Sequence, residues 1–210
     1  MGEPAADIAA RLPAHARETT RRELDLPLDE PCLLMAARIV PAKGHDTALA
    51  ALATLKARRW TLLVAGDHRA DLGPQTQALA LELGLAGRVR FLGLREDVPA
   101  LLAASDVLLA PSRREALSLT LLEASACALP IVATRVGGIG EVVEEGASGF
   151  LVPPDDPAAL AAALAPLLAD PALRQRCGAR ARQRFEAGFT ENAMFDKTVA
   201  TYQEACGGRA

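Results

Sequence analysis

Six short apolar runs recur along the chain, each followed by a stretch of helical pattern, and this alternation restricts the possible folds more than any other feature. The first run, C-L-L-M-A-A-R (32–38), is apolar nearly throughout, as expected of a strand covered on both faces. W-T-L-L-V-A-G (60–66), 89–92, 106–110, 130–134 and 149–152 supply the other five. Helices are expected between them at 43–57, 74–83, 97–104, 119–128 and 140–145, with Asp97 and Ser118 as N-caps and Gly84 ending the second. Beyond residue 152 the pattern is helical only. Asp156–Pro157 and Asp170–Pro171 each place an N-cap before a proline at the first helical position, and Thr190 caps a last helix. That helix carries Phe195, Val199 and Tyr202 on one stripe.

Such alternation with short loops predicts an α/β fold. The expected architecture is a single Rossmann-like, doubly wound parallel sheet of about six strands, with helices on both faces and further helices at the C-terminus. Residues 31–188 form the expected domain. Residues 1–30 lack a strand pattern and read as a lead-in, with short helices at 5–12 and 16–24, and residues 189–210 read as a separate C-terminal helix. In an open sheet of this kind ligands bind beyond the C-terminal strand ends.

Composition removes several function classes. A net charge of −3 and 3% aromatic residues give neither the basic surface nor the stacking platforms expected of a nucleic-acid binder. No apolar run reaches the roughly 20 residues of a membrane span. The N-terminal residues do not read as a secretory signal. Cys32, Cys127, Cys177 and Cys206 are scattered without C-x-x-C spacing, and His15, His45 and His68 lack ligand spacing, so no metal is expected. Unpaired cysteines suit a reducing, cytoplasmic setting, which includes the cytoplasmic face of a membrane.

The candidate functional residues all follow strands. Arg38 ends the first and Lys43 opens the next helix, so one loop can bring a guanidinium and an ammonium to a single phosphate group. Gly66 ends the second strand and leaves room for close approach of a ligand to the backbone, with a plain strand-end turn as the alternative. After the fourth strand, Glu115 and Glu123 bracket a helix start at Ser118, Leu119 and Thr120. They lie roughly 12 Å apart at about 1.5 Å per helical residue. The N–H groups of the first turn suit a diphosphate. Glu123, among aliphatic neighbours, suits the diol of a ribose, since a carboxylate is acceptor-only and costly to bury unpaired. A solvated helix acid and an ordinary surface Arg and Lys are the alternatives. Ser112, Arg113 and Arg114 read as loop and surface residues.

This ordered set resembles a known family. P-S-x-x-E with a second Glu after seven residues, then a strand and G-G-x-x-E, is similar to the donor-binding half of retaining glycosyltransferases of the group 1 family, with the GT-B fold. Arg38 with Lys43–Gly44 resembles that family's G-R-x-x-x-x-K-G, and F-L-G (91–93) its F-x-G. The resemblance implies binding of a nucleoside-diphosphate sugar and retaining transfer of its glycosyl unit to a hydroxyl, without metal or other cofactor. It implies that Arg38 and Lys43 hold the diphosphate, Leu92 and Gly93 meet the base, Glu123 anchors the ribose and Glu115 holds the sugar as a catalytic residue. The acceptor stays unspecified. The sequence departs from the pattern at Ala37, His68, Ala116, Ser118 and Gly140. Members pair two such domains, so an N-terminal acceptor domain is expected in addition to this chain, which alone is expected to be inactive. A non-catalytic nucleotide-sugar-binding or regulatory module, and an epimerase or phosphorylase relative, stay open as alternatives.

Overall fold

In the computed structural model, which describes residues 12–13, 15–67 and 72–207, six strands form one sheet with every neighbouring pair parallel. The strands are β1 (Cys32–Ala36), β2 (Thr61–Ala65), β3 (Val89–Gly93), β4 (Val107–Ala110), β5 (Ile131–Thr134) and β6 (Gly149–Val152), in the order β3-β2-β1-β4-β5-β6. The chain winds outward in one direction from β1 to β3, then returns past β1 and winds the other way. The switch point therefore lies between the C-terminal ends of β1 and β4, where a doubly wound sheet leaves a crevice.

Side chains alternate across this sheet with period two. Leu33 and Met35 of β1 enter one core with Leu62, Val64, Val107, Leu109 and Val132. Cys32 and Leu34 enter the other with Leu63, Leu108, Ile131 and Ala133. Helices α2 (His45–Thr54), α3 (Leu72–Glu82) and α7 (Pro157–Ala169) cover the first face. Helices α4 (Val98–Ala104), α5 (Leu119–Ala126), α6 (Ile139–Val142) and α8 (Pro171–Gly188) cover the second. Asp156 and Asp170 do cap α7 and α8, accepting from Ala159 N and Ala172 N at 2.8 Å each.

The local expectations needed several corrections. The helix expected at 43–57 starts later, because Pro41–Lys43 form a separate 3-10 turn and Gly44 breaks the path with φ +66°. Asp97 does not cap α4: its carboxylate is held by both Nε and Nη2 of Arg95, at 2.7 and 2.6 Å. Ser118 stands at the N-cap of α5, but its hydroxyl makes no capping bond. The helix expected at 5–12 lies outside the described residues, apart from Leu12. Residues 16–30, expected as a lead-in, pack onto the body. Helix α1 (Ala16–Glu23) lies on α4, and Ala16, Thr20, Arg21 and Leu26 are buried. At the C-terminus, α9 (Glu191–Gly207) carries Phe195 and Tyr202 exposed, at 67% and 69%.

Arg21 explains why α1 belongs to the body. Its side chain is 0% exposed and its Nη2 meets Asp106 Oδ2 at 2.6 Å. Its Nε donates to Ala104 O at 2.8 Å and its Nη1 to Pro27 O at 2.6 Å. A buried guanidinium is tolerated only when its donors are met in this way. Asp106 Oδ2 also accepts from Cys32 N at 2.7 Å, so one ion pair joins α1 to the start of β1 and β4.

Candidate functional site

Two adjoining cavities open at the switch point. The larger, about 470 Å³, is lined by residues that include Arg38, Gly66, Asp67, Arg95, Thr120 and Glu123. The smaller, about 180 Å³, is lined by residues that include Lys43, Ser112, Glu115, Ser118 and Thr120. Ala36, Ala37 and Thr120 line both. Thr120 thus stands where the two meet, and its Oγ1 donates to Ala36 O at 3.4 Å, tying the first turn of α5 to the end of β1.

Of the residues expected from sequence, the larger cavity gathers Arg38, Gly66, Thr120 and Glu123, and the smaller gathers Lys43, Glu115, Ser118 and Thr120. Leu92, Gly93 and Leu119 line neither. Leu92 packs into the second core, Gly93 O accepts from Gly66 N at 2.8 Å, and Leu119 points outward at 65% exposure. The β3–α4 segment reaches the cavity slightly later, with Leu94, Arg95, Glu96, Val98 and Pro99. These five and Asp67 escaped the sequence reading. The rule that ligands meet the residues just beyond a strand end could have found them, because the expected F-L-G still lies inside β3.

Glu123 sits on α5, partly buried, and its side chain has no hydrogen bond or ion pair among the described residues. Burial pushes its carboxyl above the ordinary carboxylate range. It is thus an acceptor with spare capacity, facing a cavity. Arg38 lines the same cavity and is exposed. The smaller cavity has a different character, because Lys43 Nζ donates to Glu115 Oε2. Their side chains are 23% and 14% exposed, so the pair is largely shielded from water.

Three features hold that pair in place. Arg113 N donates to Ala42 O at 2.8 Å, and Arg113 Nη1 donates to Pro41 O at 2.6 Å. Its Nη2 and Nε reach Asp46 and Asp155 at 2.7 and 2.6 Å. Arg113, expected as a surface residue, is therefore the tie between the turn carrying Lys43 and the loop carrying Glu115. Gly44 lies so close that a Cβ there would stand 2.0 Å from Pro111 O. Gly137, with φ +51°, supports Glu115 from beneath: a Cβ there would stand 1.7 Å from Glu115 O. Gly138 N donates to Ala116 O at 2.7 Å, so the glycine pair braces the Glu115 loop through its backbone. Gly66 is used similarly, since a Cβ there would stand 2.0 Å from Ala37 O.

Among the described residues no group of three His, Cys, Asp or Glu side chains is placed to hold a metal ion, and no helix is long and apolar enough to cross a membrane.

The family model "Glycosyl transferases group 1" matches residues 16–184. A D-inositol 3-phosphate glycosyltransferase from Corynebacterium efficiens is 37% identical over 212 residues, covering 96% of this chain and 50% of the relative. A lipopolysaccharide core biosynthesis glycosyltransferase from Rhizobium meliloti is 35% identical over 176 residues, covering 84% of this chain and 51% of that protein. The chain thus spans about half the length of the curated relatives it matches. A glycosyltransferase from Rickettsia africae superposes with a TM-score of 0.87 at 27% identity, over 95% of this chain and 54% of the other. Anabaena HepE, crystallised with UDP and glucose, superposes with a TM-score of 0.86 at 26% identity, over 94% and 54%. The six-stranded doubly wound sheet is the expected half of a GT-B fold, and the chain belongs to the glycosyl transferases group 1 family.

Proposed function

We propose that this domain binds a nucleoside-diphosphate sugar and supplies the donor half of a retaining glycosyl transfer to a hydroxyl. The observation that carries the reading is the pair of adjoining cavities meeting at Thr120, one faced by a carboxylate, Glu123, that has no side-chain partner among the described residues, and one by the Lys43–Glu115 pair. In this reading the nucleoside occupies the larger cavity, with its ribose diol donating to Glu123, and the sugar enters the smaller one. Arg38 and Lys43 bear on the diphosphate between them. As the bond from sugar to phosphate breaks, negative charge grows on the diphosphate, and fixed cations stabilise it more than they stabilise the ground state. Glu115 orients the sugar and offsets positive charge at its reacting carbon. The acceptor is held by a second domain, which the length of the relatives supports. The UDP and glucose bound to HepE support a nucleotide-sugar ligand for this chain as well.

Titration calorimetry of the chain with UDP, GDP and ADP, with and without a chelator, tests the reading. At least one should bind, equally well in both conditions. Glu123→Ala should weaken that binding about tenfold or more, since a hydrogen bond to a charged group is worth roughly 1.5–3 kcal/mol. Absence of binding of all three at millimolar concentration would refute it.

A further inference from the structure

We propose that Glu115 discriminates between the sugar-bearing donor and the spent nucleoside diphosphate by competing for Lys43. The inference rests on the donor-site reading above and adds to it an exchange of partners. Lys43 is not an idle cation in this fold, because its ammonium donates to Glu115 Oε2. Both side chains are largely shielded, so neither charge is well compensated by water if the other leaves. The contact also joins residues 72 positions apart, and it is braced on both sides, by Arg113 on the Lys43 turn and by Gly137 beneath the Glu115 loop. Neither partner can simply swing away with its loop.

A diphosphate entering between the cavities therefore meets a shared cation. If it draws Lys43 to itself, Glu115 is left as a shielded carboxylate facing a second anion, and like charges oppose each other. Bare nucleoside diphosphate meets this cost in full. A donor carries its own remedy: sugar hydroxyls in the smaller cavity donate to Glu115 and replace the bond that Lys43 withdraws. The sugar and diphosphate subsites are thus coupled through one lysine. The same Glu115 that accepts the donor weakens the hold on the product once the sugar has left.

The test is titration of the folded 210-residue chain with UDP and, as a probe that needs no base recognition, inorganic pyrophosphate. Glu115→Gln removes the charge but keeps the shape and an acceptor. It should bind both probes more tightly than wild type, by about fivefold at low salt, in the range of a partly buried ion pair. In a Lys43→Met background the same change relieves only the repulsion between Glu115 and the anion, so the gain should be clearly smaller, and the difference between the two gains identifies Lys43 as the object of the competition. Glu115→Ala serves as a second variant, with cooperative thermal unfolding checked for each. Unchanged or weaker binding by folded Glu115→Gln, with wild type binding UDP normally, would overturn the exchange and leave the donor site standing. A gain just as large without Lys43 would overturn it equally. Failure of wild type to bind either probe at millimolar concentration would remove the donor-site reading and the exchange together.

Discussion

His45 occupies the first turn of α2, 4% exposed, and neither ring nitrogen has a hydrogen-bond partner among the described residues. Burial drives its pKa from 6.5 down to about 4; Asp46 opposes the shift slightly and Lys43 adds to it. The sign is that of a group kept neutral by the fold. Its contribution to stability is complete above pH 6.5 and is lost as pH falls from 6.5 toward 4. The size is on the order of 3 kcal/mol at one pKa unit per 1.36 kcal/mol. His45→Leu should therefore flatten the decline in Tm between pH 7 and 4.5, and equal declines in both proteins would contradict this. Glu123 has the opposite sign. Its carboxyl is raised by burial, so the charged form costs the fold stability once pH rises through the raised value. Glu123→Gln should raise Tm at pH 7.5 but not at pH 3.5, while weakening nucleotide binding at pH 7.5. A residue retained for packing alone would not show a gain in stability together with a loss of binding.

Loops, more than helices or strands, carry the geometry of the site. The turn Pro41–Lys43 and the loop 111–118 meet because Gly44 lets Pro111 approach and Arg113 bridges to Pro41, Asp46 and Asp155. The loop after β5 then closes under Glu115 at Gly137. Gly137→Ala requires a left-handed backbone at a non-glycine residue and a collision with Glu115 O, a cost of about 1–3 kcal/mol or more. The expected outcome is a lowered Tm together with weakened nucleotide binding, because the displaced backbone is that of Glu115. By contrast, Gly140→Ala adds a Cβ whose nearest contact is Leu151 Cδ1 at 4.0 Å. It should leave both properties close to wild type. If the two variants behave alike in binding and melting assays, the bracing role is wrong.

At the scale of the molecule, one buried ion pair and one exposed helix mark its two ends. Arg21→Met would take from Asp106 its closest cation, leaving Arg17 at 2.8 Å, and would leave the Ala104 and Pro27 carbonyls without their donor; losing a hydrogen bond to a charged group costs about 1.5–3 kcal/mol. Thermal or urea unfolding should register that loss, which would be near zero if residues 16–30 were only a lead-in. The relatives are about twice as long as this chain, and Phe195 and Tyr202 stand exposed on α9. Catalysis by positioning needs donor and acceptor held together. The chain by itself should accordingly give no multiple turnovers with any nucleotide sugar and acceptor, and activity should return when the second domain is supplied. Sustained transfer by the 210-residue chain alone would contradict the proposed division of labour.

The sequence by itself determined the order and kind of the elements and the end of the sheet at which the cavities open. Those properties are local: an apolar run such as 32–36 or a cap such as Asp156 is set by neighbours in the chain. It also named four charged residues of the cavity lining, Arg38, Lys43, Glu115 and Glu123, because each follows a strand or lies at a helix start at recognisable spacing. The tertiary structure alone decided which of these residues meet. Nothing in the spacing of Lys43 and Glu115 says that they pair across 72 positions, and nothing local distinguishes Arg113, a tie, from Arg114 beside it. The glycines at 44 and 137 entered only as motif positions, and only the packed loops show that Pro111 and Glu115 need the space. Burial of Arg21 and His45 was illegible for the same reason. Whether a charged or polar side chain is covered depends on elements that arrive from distant parts of the chain, and period and propensity do not record them.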